Sequence, residues 1–313
     1  MFIVEPYQDE LLSSWFMRLA RKNRTNVSTL VCHIFKNDIL AKHTSKLHIK
    51  DIDLYYFNKS QKEMIYKHTG VHIDNLQLFK YSGILDEVVD RYHKKWIAES
   101  KTHIHNAKHF YGARFCPLCL KEKIYIPQLW RVMFYNICKK HSCYLHVVCP
   151  QCNATFMYND NGYIRDMNIC YKCSFDLKDS STHKARQKEI DAQKKLLSIL
   201  HYGYYKVNNR YYYSISFFPL LRHLINTIGK VHNVKNKYIN QLTTCTLAKI
   251  ISHTLFLLEY FPRRMNKFYK NNDLTNLDHI LPTSARSTRH SPLPSWFLNG
   301  IHYNTVISKV TAK

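Results

Sequence analysis

Phe115-Cys-Pro-Leu-Cys119, Cys138-Lys-Lys-His141, Cys149-Pro-Gln-Cys152 and Cys170-Tyr-Lys-Cys173 follow one another in a single run of the chain. They are four ligand pairs, built from seven of the ten cysteines and one histidine. Each pair presents two soft donors on one tight turn, and two such turns complete the four ligands of a tetrahedral zinc site. The economical pairing is sequential: Cys116, Cys119, Cys138 and His141 in one site, Cys149, Cys152, Cys170 and Cys173 in the other. An interleaved pairing, first turn with third and second with fourth, satisfies the same spacing. Two zinc ions are expected, in closed sites whose four protein ligands each leave no position for water. Their role is then folding, because metal binding in such modules supplies on the order of 10–16 kcal/mol.

Other uses of these cysteines fit less well. Disulfides need an oxidising compartment, and the opening MFIVEPYQDELL has no basic segment followed by an apolar run of the kind that directs secretion. A thioredoxin-like C-x-x-C would stand once, at a helix start, not in a series. Cys143 lies two residues beyond His141, off the ligand spacing, and reads as a bystander. His103, His105 and His109 read as solvated linker residues, since Cys138 and His141 already complete the first site.

Working outward, the 313 residues suffice for two or three domains, and 45% hydrophobic content suffices for real cores. The longest apolar candidate, Thr254–Phe261, is interrupted by Glu259 and falls far short of a membrane span. A cytoplasmic protein with no membrane partner is expected. The net charge of +24 is unevenly spread. Residues from His183 onward hold 20 basic and 5 acidic side chains, a net +15. Such a balance calls for a polyanionic partner, most simply nucleic acid. Codon drift toward Lys, Asn, Ile and Tyr would raise Asp and Glu as well, and these are scarce here.

The N-terminal part reads as helical. Asp9 is the expected N-cap of a helix with Leu11, Leu12, Trp15, Phe16 and Leu19 on one face. Leu30, Val31, Ile34 and Phe35 mark a second. Ser60-Gln-Lys-Glu63 has the capping-box pattern, and Thr69-Gly70 closes that helix. Asp74 then caps a further one carrying Leu76, Leu78 and Phe79. Helix, glycine turn, helix is the helix-turn-helix layout, which a plain helical hairpin shares. Its second helix offers Asn75, Gln77, Lys80 and Tyr81 toward bases or phosphates. Leu85–Ile97 is another expected helix.

In the central region, Leu129–Asn136 alternates as a strand should, and Asn159-Asp-Asn-Gly162 is a hairpin-turn signal, so both sites read as small ribbons. From Ala185 a basic helical domain begins. It holds a helix around Ile190–Leu200, a hairpin Tyr204–Tyr213 across Asn208-Asn209, and a helix Phe217–Ile228 with Pro219 in its first turn. A helix Leu247–Leu258 is ended or kinked by Pro262. Arg263, Arg264, Lys267 and Lys270 follow as expected phosphate contacts, with Lys80 in the N-terminal part as another. The Ser/Thr/Pro/Arg-rich tail from Pro282 reads as mobile, anchored at Trp296-Phe297. The expected class is mainly α with small β zinc ribbons. The segments are a helix-turn-helix-like domain over 1–110, a double zinc module over 111–182, a basic helical domain over 183–281, and a tail over 282–313.

Two motifs in order carry a resemblance. Pro6, Glu10, Ser14, Trp15, Arg18, Leu19 and Ala20 are followed by Cys116/Cys119, Trp130, Cys138, His141, Leu145 and Cys149-Pro-Gln-Cys152. This arrangement is similar to the TniQ/TnsD family of bacterial transposition proteins, over roughly residues 1–175. The chain departs from the family pattern at Ser142, where a glycine usually follows the histidine. The resemblance implies a helix-turn-helix and a non-enzymatic target-selection adaptor. Such an adaptor recognises DNA directly, or docks on an RNA-guided CRISPR effector complex, and hands the target to an AAA+ ATPase regulator that recruits transposase. It also makes a homodimer an expectation. The alternative is a stand-alone zinc-containing regulator that reads a DNA sequence. The chain carries no G-x-x-x-x-G-K-[ST], H-E-x-x-H or G-x-S-x-G motif. A metal-dependent nuclease would need an open site or clustered carboxylates, against 22 acidic residues scattered along the chain.

Overall fold

Two separate cores organise the protein, seen in a computed structural model. The structure describes residues 1–36, 52–53, 57–76, 113–158, 166–232, 234, 242–272, 274 and 293–301. One unit comprises residues 1–83 and 96–184, the other 84–95 and 185–313. The described residues are mainly helical, with a single two-stranded sheet.

In the first unit, α1 (Leu12–Lys22) and α2 (Val27–Phe35) pack with α3 (Lys59–Thr69). Their apolar stripes meet in a core of Trp15, Phe16, Leu19, Val31, Ile34, Phe35 and Ile65, all essentially free of solvent. Helix α1 starts at Leu12, not after Asp9, and Leu11 at its N-cap offers no side-chain acceptor. The N–H groups of its first turn are met by distant partners instead. Leu12 N donates to Leu76 O, and Ser13 N donates to Asp53 Oδ1 at 2.8 Å. A cap can be supplied by any acceptor held in place, so local spacing does not locate this one.

Helix α3 does have a capping box, formed by Asn58 and Gln61 rather than by Ser60 and Glu63. It ends at Gly70, whose φ of 69° is the left-handed conformation that closes a helix. A 3-10 turn at Ile73–Asn75 follows. The expected recognition helix, with Gln77, Lys80 and Tyr81, lies outside the described residues, as do the expected helix Leu85–Ile97, the linker histidines and the Asn159–Gly162 turn.

Hydrogen bonds cross the 110/111 boundary drawn from the sequence. Leu11 N donates to Ile126 O, Gln128 N to Asp9 O, and Glu10 bridges to Pro127. The expected strand Leu129–Asn136 is instead a 3-10 turn, Gln128–Arg131, followed by irregular chain. Alternation suits a strand with one wet face, but Trp130, Arg131, Val132, Phe134, Tyr135 and Asn136 are all buried. The rest of the zinc region's β structure consists of isolated antiparallel bridges, among them Ile137–Tyr144, Val148–Thr155 and Ile169–Asp176.

The second unit begins with α5 (Gln187–Tyr202), counting the short Pro117–Glu122 helix of the first unit as α4. Gly203, φ 80°, closes α5 and leads into the hairpin β1 (Tyr204–Val207) and β2 (Arg210–Tyr213). Tyr204 pairs with Tyr213 and Val207 with Arg210, across Asn208 and Asn209, both at positive φ as a two-residue type I′ turn demands. Helix α6 (Ser214–Val231) starts three residues earlier than expected, so Pro219 lies inside it. Helices α7 (Thr244–Glu259) and α8 (Arg263–Asn271) complete the core with Phe217, Leu221, Leu224, Ile251, Leu255 and Leu258. A last helical segment at 295–301 stacks Trp296 on Tyr212 and Phe297 on Phe261. Gly300 permits this approach, since a Cβ there would run into the Phe261 ring.

Candidate metal centres and basic surfaces

The eight residues picked from spacing converge in two groups, Cys116, Cys119, Cys138 and His141 in one and Cys149, Cys152, Cys170 and Cys173 in the other. The pairing is therefore sequential. Within each group the donor atoms all lie within 4.8 Å of one another. Sulfur–sulfur separations include 3.5 Å for Cys119–Cys138, and 3.6 Å for both Cys149–Cys173 and Cys152–Cys170. A tetrahedron with metal–sulfur bonds of about 2.3 Å has edges of about 3.8 Å, so both donor sets fit one ion each.

Three of the four ligand turns share one backbone form. Cys138 N donates to Cys143 O, Cys149 N to Ala154 O, and Cys170 N to Phe175 O. Ser142 N, Asn153 N and Ser174 N return hydrogen bonds to the first cysteine's carbonyl. The residue after each second ligand is left-handed, with φ of 52° at Ser142, 56° at Asn153 and 61° at Ser174. The glycine that usually follows the histidine in the resembling family is thus replaced by a serine at a position of positive φ. The remaining pair is built differently. Cys116 is the N-cap residue of α4 and Cys119 lies on its first turn, with Pro117 at the start.

His141 faces the thiols through Nδ1, 3.2 Å from Cys119 Sγ, and its Nε2 meets Glu122 Oε1 at 3.1 Å. A carboxylate behind a ligating imidazole sets the tautomer and raises ligand basicity. Lys140 hydrogen-bonds the same carboxylate, and together with His141 it holds Glu122 below the usual carboxylate range. In the sequence Glu122 is marked only by its place one helical turn beyond Cys119. Cys143 is closer than a bystander need be. It is fully buried, and its Sγ lies 3.6 Å from Cys116 Sγ, yet it stands outside the group of four.

The first group is tied to the N-terminal helices by polar residues of the opening motif. Glu10 is buried and accepts from Ser14 Oγ, from Arg18 and from Tyr7 N. Burial pushes its carboxyl up, while the Ser14 bond, the Arg18 charge and the Tyr7 N–H pull it down, and burial prevails. Ser14 Oγ in turn accepts from Ile126 N at 3.0 Å, and Trp15 Nε1 donates to Val4 O. Asp53 accepts from Ser13, Arg131 and Tyr158. Nothing in the local sequence marked Asp53 or Arg131.

Of the expected phosphate contacts, Lys80 lies outside the described residues. Arg263, Lys267 and Lys270 share one exposed side of α8, opposite the buried Met265, Phe268 and Tyr269. Arg264 is not part of that stripe. Its guanidinium lies 4.0 Å from both the Phe256 and Tyr260 ring centroids and pairs with Glu259 at 2.9 Å.

The TniQ family model matches residues 1–145, a span that takes in the first ligand group and stops short of Cys149, and this match supports the family assignment. No curated protein matches the chain.

Proposed function

On the premise that residues 1–145 are a TniQ region, which fits a role in transposition target selection, we propose that the chain is a non-enzymatic adaptor. It links a chosen target to an AAA+ ATPase regulator and, through it, to transposase. The target is a DNA site or an RNA-guided CRISPR effector complex, and the adaptor works in the cytoplasm as a homodimer. The observation that carries this reading is the joint between the two motifs. Glu10, Ser14 and Arg18 bind one another and seat Ser14 on Ile126 beside the first ligand group, so the parts matched by the family model form one platform.

In this reading each ligand group holds one zinc ion, the metal suited to a set of four thiolates and to a set of three thiolates with one imidazole. Bound zinc supplies folding energy to a region otherwise stitched by isolated bridges, and four protein donors in each group give it a structural part. The side of α8 bearing Arg263, Lys267 and Lys270 serves the nucleic-acid partner. No helix among the described residues is long and apolar enough to cross a membrane.

The test is reconstitution. The purified chain, mixed with a transposition ATPase and with either target DNA or an RNA-guided complex, is expected to bring the ATPase to the target in pull-downs. An ATPase that reaches the target equally well without the chain overturns the adaptor reading.

A further inference from the structure

The second unit holds a cleft of about 780 Å3 between α5 and α7, within the size range of small-ligand sites. Two matched helical stripes line it. Lys188, Asp191, Ala192 and Lys195 follow i, i+3, i+4, i+7 spacing on α5, and Lys249, Ser252, His253 and Phe256 repeat it on α7. Arg186 stands just before α5, and His232 just past the end of α6 meets His253, Nε2 to Nδ1, at 2.9 Å.

The charges of this cleft are lopsided. Its two carboxylates are engaged elsewhere: Asp191 accepts from Gln187 and lies 3.7 Å from Lys194, and Glu259 holds Arg264. Among the described residues, no carboxylate pairs with Lys188, Lys195 or Lys249, all exposed. Cations left over from ion pairing along one groove favour a ligand with several phosphates. The cleft also has an apolar side, in Ala192, Leu255 and the Phe256 ring, which is 53% exposed. An exposed ring beside a row of lysines serves a flat base carried on a phosphate backbone, the combination found where single strands are bound. A duplex keeps its bases stacked inside and offers such a ring nothing to stack on.

We propose that the α5–α7 cleft binds single-stranded nucleic acid, with phosphates along Arg186, Lys188, Lys195 and Lys249 and a base against Phe256. This site is distinct from the α8 stripe and does not depend on the adaptor reading.

Fluorescence anisotropy of the 313-residue, zinc-loaded chain tests it, with labelled oligothymidylate, oligouridylate and a DNA duplex of the same length. Lys188→Glu combined with Lys249→Glu, one lysine from each helix, is expected to weaken strand binding about tenfold or more. It should also lower the log–log salt slope by about 1.4, two phosphates at roughly 0.7 each. Phe256→Leu, which keeps an apolar cover over Arg264, should weaken strand binding at least about fivefold and leave duplex binding unchanged. Thymidylate and uridylate distinguish DNA from RNA as the source, and tighter binding of either strand than of duplex supports the site. A folded double variant with unchanged slope overturns the proposal. So does a Phe256→Leu variant that weakens strand and duplex binding equally, or a slope that responds only to reversal of Arg263, Lys267 and Lys270.

Discussion

Arg131 Nη1 donates to Asp53 Oδ2 at 2.8 Å, with the two side chains 1% and 0% exposed. The same carboxylate accepts from Ser13 N and Ser13 Oγ, so one buried group caps α1 and neutralises a cation of the zinc region. Removing one member of a buried ion pair costs about 3–5 kcal/mol. Asp53→Ala should therefore lower unfolding free energy by that amount in urea titrations. A decrease below about 1 kcal/mol would mean that the Asp53 carboxylate contributes little to holding α1 and Arg131 in place.

Cys138 and Cys143 are separated by geometry rather than burial, since both are shielded from solvent. Cys138→Ser is expected to lower zinc content from two ions to one per chain by elemental analysis and to loosen the first unit. Cys143→Ser should keep both ions. Release of an ion from the Cys143 variant would make Cys143 a ligand of the first centre.

Glu122 stands behind His141, through which it would act on an ion held by the first ligand group. Glu122→Gln keeps the size and one acceptor but removes the charge, and outer partners of this kind are commonly worth about ten- to a hundredfold in metal affinity. Competition with a chromophoric chelator should show one of the two ions released more readily. Two ions released as in the parent protein would assign Glu122 to the Lys140 pair alone.

Ser142 holds a φ of 52° that costs a side-chain-bearing residue about 1–2 kcal/mol. Ser142→Gly should recover about 1 kcal/mol of stability without altering metal content. A destabilised variant would show that the serine side chain contributes more than its backbone strain takes away.

The four cations around α8 should divide into two kinds. Charge reversal of Arg263, Lys267 and Lys270 is expected to weaken duplex binding across all sequences and reduce the salt slope by about 0.9 for each phosphate no longer neutralised. Arg264→Ala should leave that slope unchanged and cost about 1 kcal/mol of stability, because its guanidinium packs on Phe256 and Tyr260. Equal effects on slope from all four would put Arg264 at the interface too.

What could be read from the residues in order was whatever short-range chemistry dictates. Four ligand pairs announce themselves by their spacing, and the structure gathers those same eight residues. Asn208-Asn209 announces a tight hairpin because two successive residues there must take positive φ. The stripes of α1, α2 and α7 are equally visible, because each buries a face within one continuous stretch of chain.

Other features needed the folded chain. Asp53 reaches Ser13 over a separation of 40 residues, and no local pattern distinguishes it from the other aspartates. The alternation of Leu129–Asn136 promised a strand, but six of its eight residues are buried and the segment is a 3-10 turn and irregular chain. The linear order decided that paired-ligand turns exist, because a knuckle is set by backbone geometry over a handful of neighbouring residues. Only the tertiary structure decided which turns come together in one ligand group, which carboxylate stands behind His141, and which cations are spent on neighbouring rings and carboxylates. Those outcomes depend on residues far apart in the chain, and packing alone sets the distances between them.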